Sequence, residues 1–406
     1  MACGTRTPVR RAAIVPVLFL LLIGTAGAPL AVPTARAEDA RVLPKGVSRA
    51  SLEGQFYFPV DQRYGADGHV EDVAVDYNTT LDSTVFAGVL PAGAVLGDSV
   101  VDIEYDFRIV EFTYAYGVTN RFALGVKVPY WWVKNKVDAE VVADATNANV
   151  GIGTGGNIVS VLDPTFDHFI TTAEVQALLG SVYGYQPVES WSRHGFSDIE
   201  VGGRYQYLKS DDWRLAFTGA VRLPSGKVND PDNLMAYPFG QGAYALLFHA
   251  NNDFTGWDRV LMNVTLLYEW VLPDKEVRRV PDDVNLPITM NREKVKRNLG
   301  DHYGLDVTGT VAVTEPLSVF ARYKLKASGR DHVSGGMGFA YESLEQETAW
   351  REEVYYVGMT YSTLPRYMRT RSGVPWAATL QYRNRFDGRN NVLKSRYVSA
   401  TVQLYF

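Results

Sequence analysis

Tyr397-Val398-Ser399-Ala400-Thr401-Val402-Gln403-Leu404-Tyr405-Phe406 closes the chain. Val398, Ala400, Val402, Leu404 and Phe406 fall on one face, and Ser399, Thr401, Gln403 and Tyr405 on the other. Successive side chains of a strand point to opposite faces, so this period makes a strand with one apolar and one polar side. The same period recurs upstream. Over positions 213–223, Trp213, Leu215, Phe217, Val221 and Leu223 oppose Arg214, Thr218 and Arg222. Over 260–270, Val264, Leu266, Tyr268 and Trp270 oppose Asn263, Thr265 and Glu269. Over 303–313, Tyr303, Leu305, Val307 and Val311 oppose Asp306, Thr308 and Thr310. These runs reach 11 residues. Strands of soluble proteins average ~5–6, and ~9–11 residues cross a bilayer at a tilt. Aromatic residues sit near the ends of the apolar faces, as in Tyr130-Trp131-Trp132, Trp213 and Trp376. An amphipathic ring is most stable at the headgroup level, so this placement suits the interfacial girdles of a membrane barrel.

A terminal Phe closing an alternating strand resembles the C-terminal signal of bacterial outer-membrane barrels. The expected fold is therefore all-β: a transmembrane antiparallel up-and-down barrel of about twelve strands, fourteen being the alternative. Composition agrees. The 406 residues carry 40 Lys and Arg against 45 Asp and Glu, a net charge of -5, which argues against a nucleic-acid partner. A mean hydropathy of -0.11 is too polar for a bundle of membrane helices. Arg6, Arg10 and Arg11, an apolar run over 12–28 and the small-residue site Ala35-Arg36-Ala37 read as a secretory signal peptide spanning 1–37. The single cysteine, Cys3, would leave with it. The rest is read as a 38–69 segment, periplasmic or holding the first strand, followed by the barrel over 70–406.

Short and long connections alternate, as periplasmic turns and extracellular loops should. The short ones fall at 117–120, 209–212, 251–256, 314–316 and 363–374. The long ones fall at 133–195, 224–239, 273–300, 327–351 and 387–391. This gives eleven strands from Val101 onward, and one more is needed before it, at 70–80 or 51–58. In the strand at 101–116 the apolar residues shift from odd to even positions, which predicts a β-bulge near 108–111. In the longest loop, Asp163 and Pro164 read as an N-cap and N1 pair opening a short helix to Leu179, lying over the mouth or on the rim.

Charges on the lipid face would cost ~2–4 kcal/mol each near the midplane. Their phase therefore predicts that Arg204, Arg214, Arg222, Glu269, Arg322, Lys324, Arg383 and Arg385 line the lumen. Asp102, Glu104, Asp106 and Arg108 are expected to face inward with them. Such residues bias which solutes pass a hydrated pore, or bind each other and stiffen a blocked one. Seven basic and five acidic residues at 273–300 offer a contact for lipopolysaccharide phosphates or form a solvated loop. Ser192, His194 and Ser197 are the one tight cluster of hydrolase residue types. No histidine pair has metal spacing, so no metal, cofactor or catalytic residue is expected.

Local motifs carry a family resemblance. Tyr116-Gly117-Val118-Thr119-Asn120-Arg121-Phe122-Ala123-Leu124-Gly125-Val126-Lys127-Val128-Pro129-Tyr130 resembles the "YGxTxRxxLGxxVPY" hairpin of outer-membrane barrels classed as transporters of the phenol-degradation meta-pathway. Gly195-Phe196-Ser197-Asp198-Ile199-Glu200-Val201-Gly202-Gly203-Arg204-Tyr205 is similar to that family's "GxGDxxxGxxY" strand, and Leu223-Pro224-Ser225-Gly226 to its "LPTG" strand end. The resemblance implies a passive channel for small molecules, hydrophobic or aromatic ones among them, in the outer membrane of a Gram-negative bacterium. Its partners would be outer-membrane lipid and lipopolysaccharide, with the assembly machinery engaging the C-terminal strand at Phe406. A structural or adhesive barrel without conductance, or an outer-membrane lipid hydrolase, are the other readings.

Overall fold

The computed structural model describes residues 39–406. The expected signal peptide and Cys3 lie outside them. Twelve antiparallel strands, each hydrogen-bonded to its neighbours in the chain, form the barrel. They are β1 (Ser48–Tyr57), β2 (Val95–Thr119), β3 (Phe122–Val142), β4 (Ile199–Lys209), β5 (Trp213–Leu223) and β6 (Ala245–Trp257). β7 (Val260–Val271), β8 (His302–Ala312), β9 (Leu317–Ser328), β10 (Arg351–Ser362), β11 (Trp376–Arg389) and β12 (Arg396–Tyr405) complete it. The C-terminal strand closes the ring. It pairs with β11 on one side and with β1 on the other, from Arg49 opposite Tyr405 to Tyr57 opposite Tyr397. The first strand is thus Ser48–Tyr57, and Val70–Asp72 is a short strand outside the barrel.

The outward faces are apolar and exposed: Leu52, Phe56, Phe217, Leu266, Met359 and Leu380 among them. A soluble protein rarely exposes so continuous a patch. Hydrocarbon around a closed ring of strands makes it favourable, because every backbone group between the edges is paired. Among the described residues no helix is long and apolar enough to cross a membrane.

β2 keeps one register against β3 from Asp98 opposite Val142 to Gly117 opposite Ala123, so the bulge expected at 108–111 is not there. The change of pattern has another cause. Odd positions face inward along the whole strand, and the surroundings of the outer face change. Low on the strand, outward Phe112 and Tyr116 are exposed to lipid. Higher up, the strand stands clear of the membrane. Asp102, Glu104, Asp106 and Arg108 then face water outside the barrel, not the lumen, and Glu104 pairs with Lys136 on the neighbouring strand. Inward Ile103, Tyr105, Phe107 and Ile109 are buried. A bulge does occur in β11, where the register slips between Glu353 and Val354 of its partner. The connection expected at 251–256 also moves. β6 runs on to Trp257 and turns at Asp258 and Arg259, the latter with φ 64°. Asn251 and Asp253 are consequently buried wall residues.

The extracellular loops fold into a cap with its own apolar core. Phe86, Val175, Tyr183, Tyr185 and Ile288 come together from three separate connections, with Leu96 at the top of β2. α1 (Thr172–Ser181) lies in this cap, with Val175 buried and the Thr172 hydroxyl accepting a hydrogen bond from the Val141 amide at 3.0 Å. It starts later than expected. Thr171 is the N-cap, and it exchanges hydrogen bonds with Glu174 as a capping box. Asp163 closes a local turn onto Thr165 instead, and Phe166–His168 is a short strand. The segment that enters the barrel mouth is another one. Met235 and Phe239, from the loop between β5 and β6, pack against Ile103, Tyr105, Phe107 and Val133 of the inner wall. On the periplasmic side α2 (Leu364–Thr370), with Pro365 in its first turn, fills the longest turn.

A two-chambered lumen

Two cavities share the barrel interior. One, of about 560 Å³, lies under the cap against Tyr57, Pro129, Trp131 and Phe239. The other, of about 1240 Å³, lies on the periplasmic side against Arg49, Thr113, Ala123 and Tyr367 of α2. Glu111, Lys127, Glu200 and Arg222 line both, so the boundary between them is a belt of charged side chains.

Parity puts these groups on inward faces of adjacent strands, and pairing holds them there. The Lys127 ammonium lies 2.6 Å from Glu200, and the Arg222 guanidinium reaches Glu200 at 2.9 Å and Glu269 at 3.0 Å. Glu269 also accepts from Lys326 at 2.9 Å and from His302 Nδ1 at 2.8 Å. One carboxylate therefore meets two cations and an imidazole, all largely out of water. Isolated charges there would cost several kcal/mol each, and reciprocal pairing offsets this.

The eight lumen candidates fall into separate groups. Arg222 and Glu269 belong to the belt. Arg322 forms a bidentate pair with buried Asp306 and lies 5.0 Å from the Tyr356 ring. Arg383 donates to Ser395 Oγ at 2.8 Å, and Arg385 reaches Glu352 at 2.5 Å, nearer the extracellular end. Arg204, Arg214 and Lys324 line the periplasmic chamber. Lys127, Glu200, His302 and Asp306 were not singled out from sequence. Glu200, His302 and Asp306 pair with residues that were, and Lys127 pairs with Glu200.

The periplasmic end is occupied by the chain's own first described residues. Arg204 donates to the Asp39 carbonyl oxygen, and Gln206 Nε2 donates to that of Ala40 at 2.7 Å. The Ala40 amide donates to the Asp253 carboxylate at 3.1 Å. Ala40 is fully buried. Leu43 and Pro44 continue this segment along the chamber wall towards the turn at Gly117. Nothing in the sequence of 38–47 has strand or helix period, so this placement was not legible there.

Two of the family-like motifs meet at the upper chamber. Asp198 accepts hydrogen bonds from the amides of Gly226 and Gln241 at 2.9 and 2.8 Å. Ser225 Oγ accepts from the Ile199 amide and donates to the Ser197 carbonyl. The Ser197 hydroxyl donates to the Phe239 carbonyl. This knot ties the start of β4 and the end of β5 to the loop that fills the mouth. It also separates the residues of the suspected hydrolase cluster. Ser197 is buried inside this knot, whereas His194 faces outward with Nδ1 2.5 Å from the Tyr130 hydroxyl.

No protein-family model and no curated protein matches the chain. Among solved structures it is similar to the CymD monoaromatic hydrocarbon channel, at 10% identity and a TM-score of 0.34 over 90% of this chain and 89% of that one. It is similar to a FadL homologue of Pseudomonas aeruginosa at 10% identity and a TM-score of 0.34, covering 89% and 90%. It is also similar to an outer membrane channel from Pseudomonas putida F1, at 12% identity and a TM-score of 0.53, covering 92% of this chain and 100% of that one. That last likeness, with the closed ring of twelve alternating strands, makes the fold that of an outer-membrane β-barrel.

Proposed function

We propose that this barrel is a passive uptake channel of the Gram-negative outer membrane, held closed by the segment at 39–47 and opened when that segment leaves the lumen. The observation that carries the reading is the hollow interior. A barrel serving only as a scaffold gains stability by filling its lumen with packed side chains. Here the periplasmic chamber alone is about 1240 Å³, large enough for a small solute. What closes it is held by hydrogen bonds rather than by an apolar interface: to Arg204, Gln206 and Asp253 at its inner end, and to Gly117 and Asn120 where it leaves for β1. Such contacts are each worth ~0.5–1.5 kcal/mol net, more when a charge is involved, so opening is affordable thermally or on solute binding.

The solute is small, and both chambers carry aromatic or aliphatic walls that suit hydrophobic or aromatic compounds. The phenol-pathway likeness of the motifs supports uptake and singles out no solute. Lys275, Lys294 and Lys296 are exposed on one face of the extracellular hairpin made by Asp274–Arg279 and Arg292–Asn298, and this supports contact with lipopolysaccharide phosphates. The inward basic residues of the same hairpin are taken up by Asp232, Asp274 and Glu276. Phe406 ends the closing strand, where the assembly machinery would engage it.

Swelling of liposomes loaded with the purified chain tests the reading. Small sugars are expected to enter slowly, and faster in the double variant Gln206→Ala/Asp253→Ala. A variant as impermeable as empty liposomes would overturn it.

A further inference from the structure

The two chambers differ in charge. The upper one is balanced, with four acidic and four basic side chains on its wall. The periplasmic one has ten basic side chains against four acidic, in a chain whose overall balance is -5. Four of these cations are in pairs: Lys127, Arg222 and Lys326 in the belt with Glu200 and Glu269, and Arg41 with Asp39. Lys324 and Arg214 face the same space; Arg214 stands opposite Asp253 in the register of β5 and β6, and among the described residues neither cation forms an ion pair. A concave, low-dielectric wall of one sign focuses its field into the cavity and raises the local concentration of the opposite ion. The wall is not uniformly polar. Val42, Leu43, Leu247, Leu267 and Met368 interleave with the cations.

We infer that the periplasmic chamber binds amphiphilic carboxylates: small organic acids whose carboxylate is drawn to the cations of its wall, at Lys324 or at Arg214, and whose apolar body rests on the aliphatic side chains. Guanidinium and ammonium groups form charge-assisted hydrogen bonds with a carboxylate. The apolar body gains by leaving water. A neutral analogue forfeits the first contribution, an inorganic anion the second, and an organic cation is repelled. The inference gives the solute class of the channel reading and rests on that reading for its place in uptake, but binding itself requires no conduction.

The test is calorimetric titration of the detergent-solubilised full chain with benzoate, benzamide and benzylammonium. Benzoate is expected to bind saturably, at least about tenfold tighter than benzamide, with benzylammonium showing no binding. Raising the salt concentration should weaken benzoate and leave benzamide unchanged. The variant Lys324→Gln/Arg214→Gln should lose at least about tenfold in benzoate affinity, with heat-modifiable gel mobility showing that its barrel is formed. If that pair fails to fold, the single variants and the salt dependence decide. Benzamide binding as tightly as benzoate, or a folded variant binding benzoate as the unaltered chain does, would overturn the inference. A barrel that binds benzoate yet never conducts keeps this inference and loses the channel reading. One that conducts and ignores benzoate does the reverse.

Discussion

Glu269 shows how single residues set the lumen. Its carboxylate is the common partner of Arg222, Lys326 and His302. Replacing it with Ala leaves those groups facing one another in a confined space, and breaking a buried pair typically costs ~3–5 kcal/mol. Glu269→Ala is therefore expected to unfold at markedly lower urea than the unaltered chain, read by loss of heat-modifiable mobility; an unchanged midpoint would show the belt to be dispensable. Outside the membrane, His168 offers a pH test. Hydrogen bonds to Glu174 first, and to Asp167, hold its pKa above the ordinary imidazole value. A raised folded pKa means that the stabilisation is complete below the ordinary value and is lost as pH rises through the folded one. The ring resonance of His168 should titrate above ~6.5, with hydrogen exchange of the 166–181 loop speeding up over the same interval; a midpoint at or below the ordinary value would contradict the pairing. At this scale the sequence was legible wherever phase decides. Arg222 and Glu269 face inward because the other face is lipid. Asp102 to Arg108 misled because phase tells which side a residue is on, whereas water, lipid and packed loop can each occupy either side.

At the scale of elements, the loop between β5 and β6 is governed by Asp198. A methyl group added at Gly240 would lie 2.1 Å from Asp198 Oδ1. Gly240→Ala must displace either the loop or the carboxylate, at a cost of about 1–3 kcal/mol. Hydrogen exchange over 224–244 should rise while the barrel strands stay protected; unchanged exchange would show that the knot does not hold the mouth closed. Thr171→Ala removes half of the capping box and should cost α1 about 1 kcal/mol, read as faster exchange of its first-turn amides. Strands and turns were largely legible because alternation and short polar connections are local properties. The helix start was misread because Asp163-Pro164 is a sound N-terminal pair in isolation. The Thr171-x-x-Glu174 box eight residues on takes the role in the fold, where Ile170 and Val175 find the cap core. The knot was not legible, since it joins Asp198 to the amides of Gly226 and Gln241, 28 and 43 residues away, that only the folded loop brings near.

At the scale of the whole molecule, β12 seals the ring against β1 and makes one barrel and its cap of the described chain. Even strand number, alternation and the C-terminal strand were all present in the sequence. The closures were not. Burial of Asp39 and Ala40 depends on side chains from β4 and β6, and Asp253 had been read as part of a turn. The account's central claim is that this segment gates a hollow lumen, and single-channel recording in planar bilayers tests it most directly. The full chain should be closed for most of the record, with brief openings, and Gln206→Ala/Asp253→Ala should be open for a much larger share of it. A full chain that stays open at constant conductance, or a variant with the same record as the full chain, would contradict the claim.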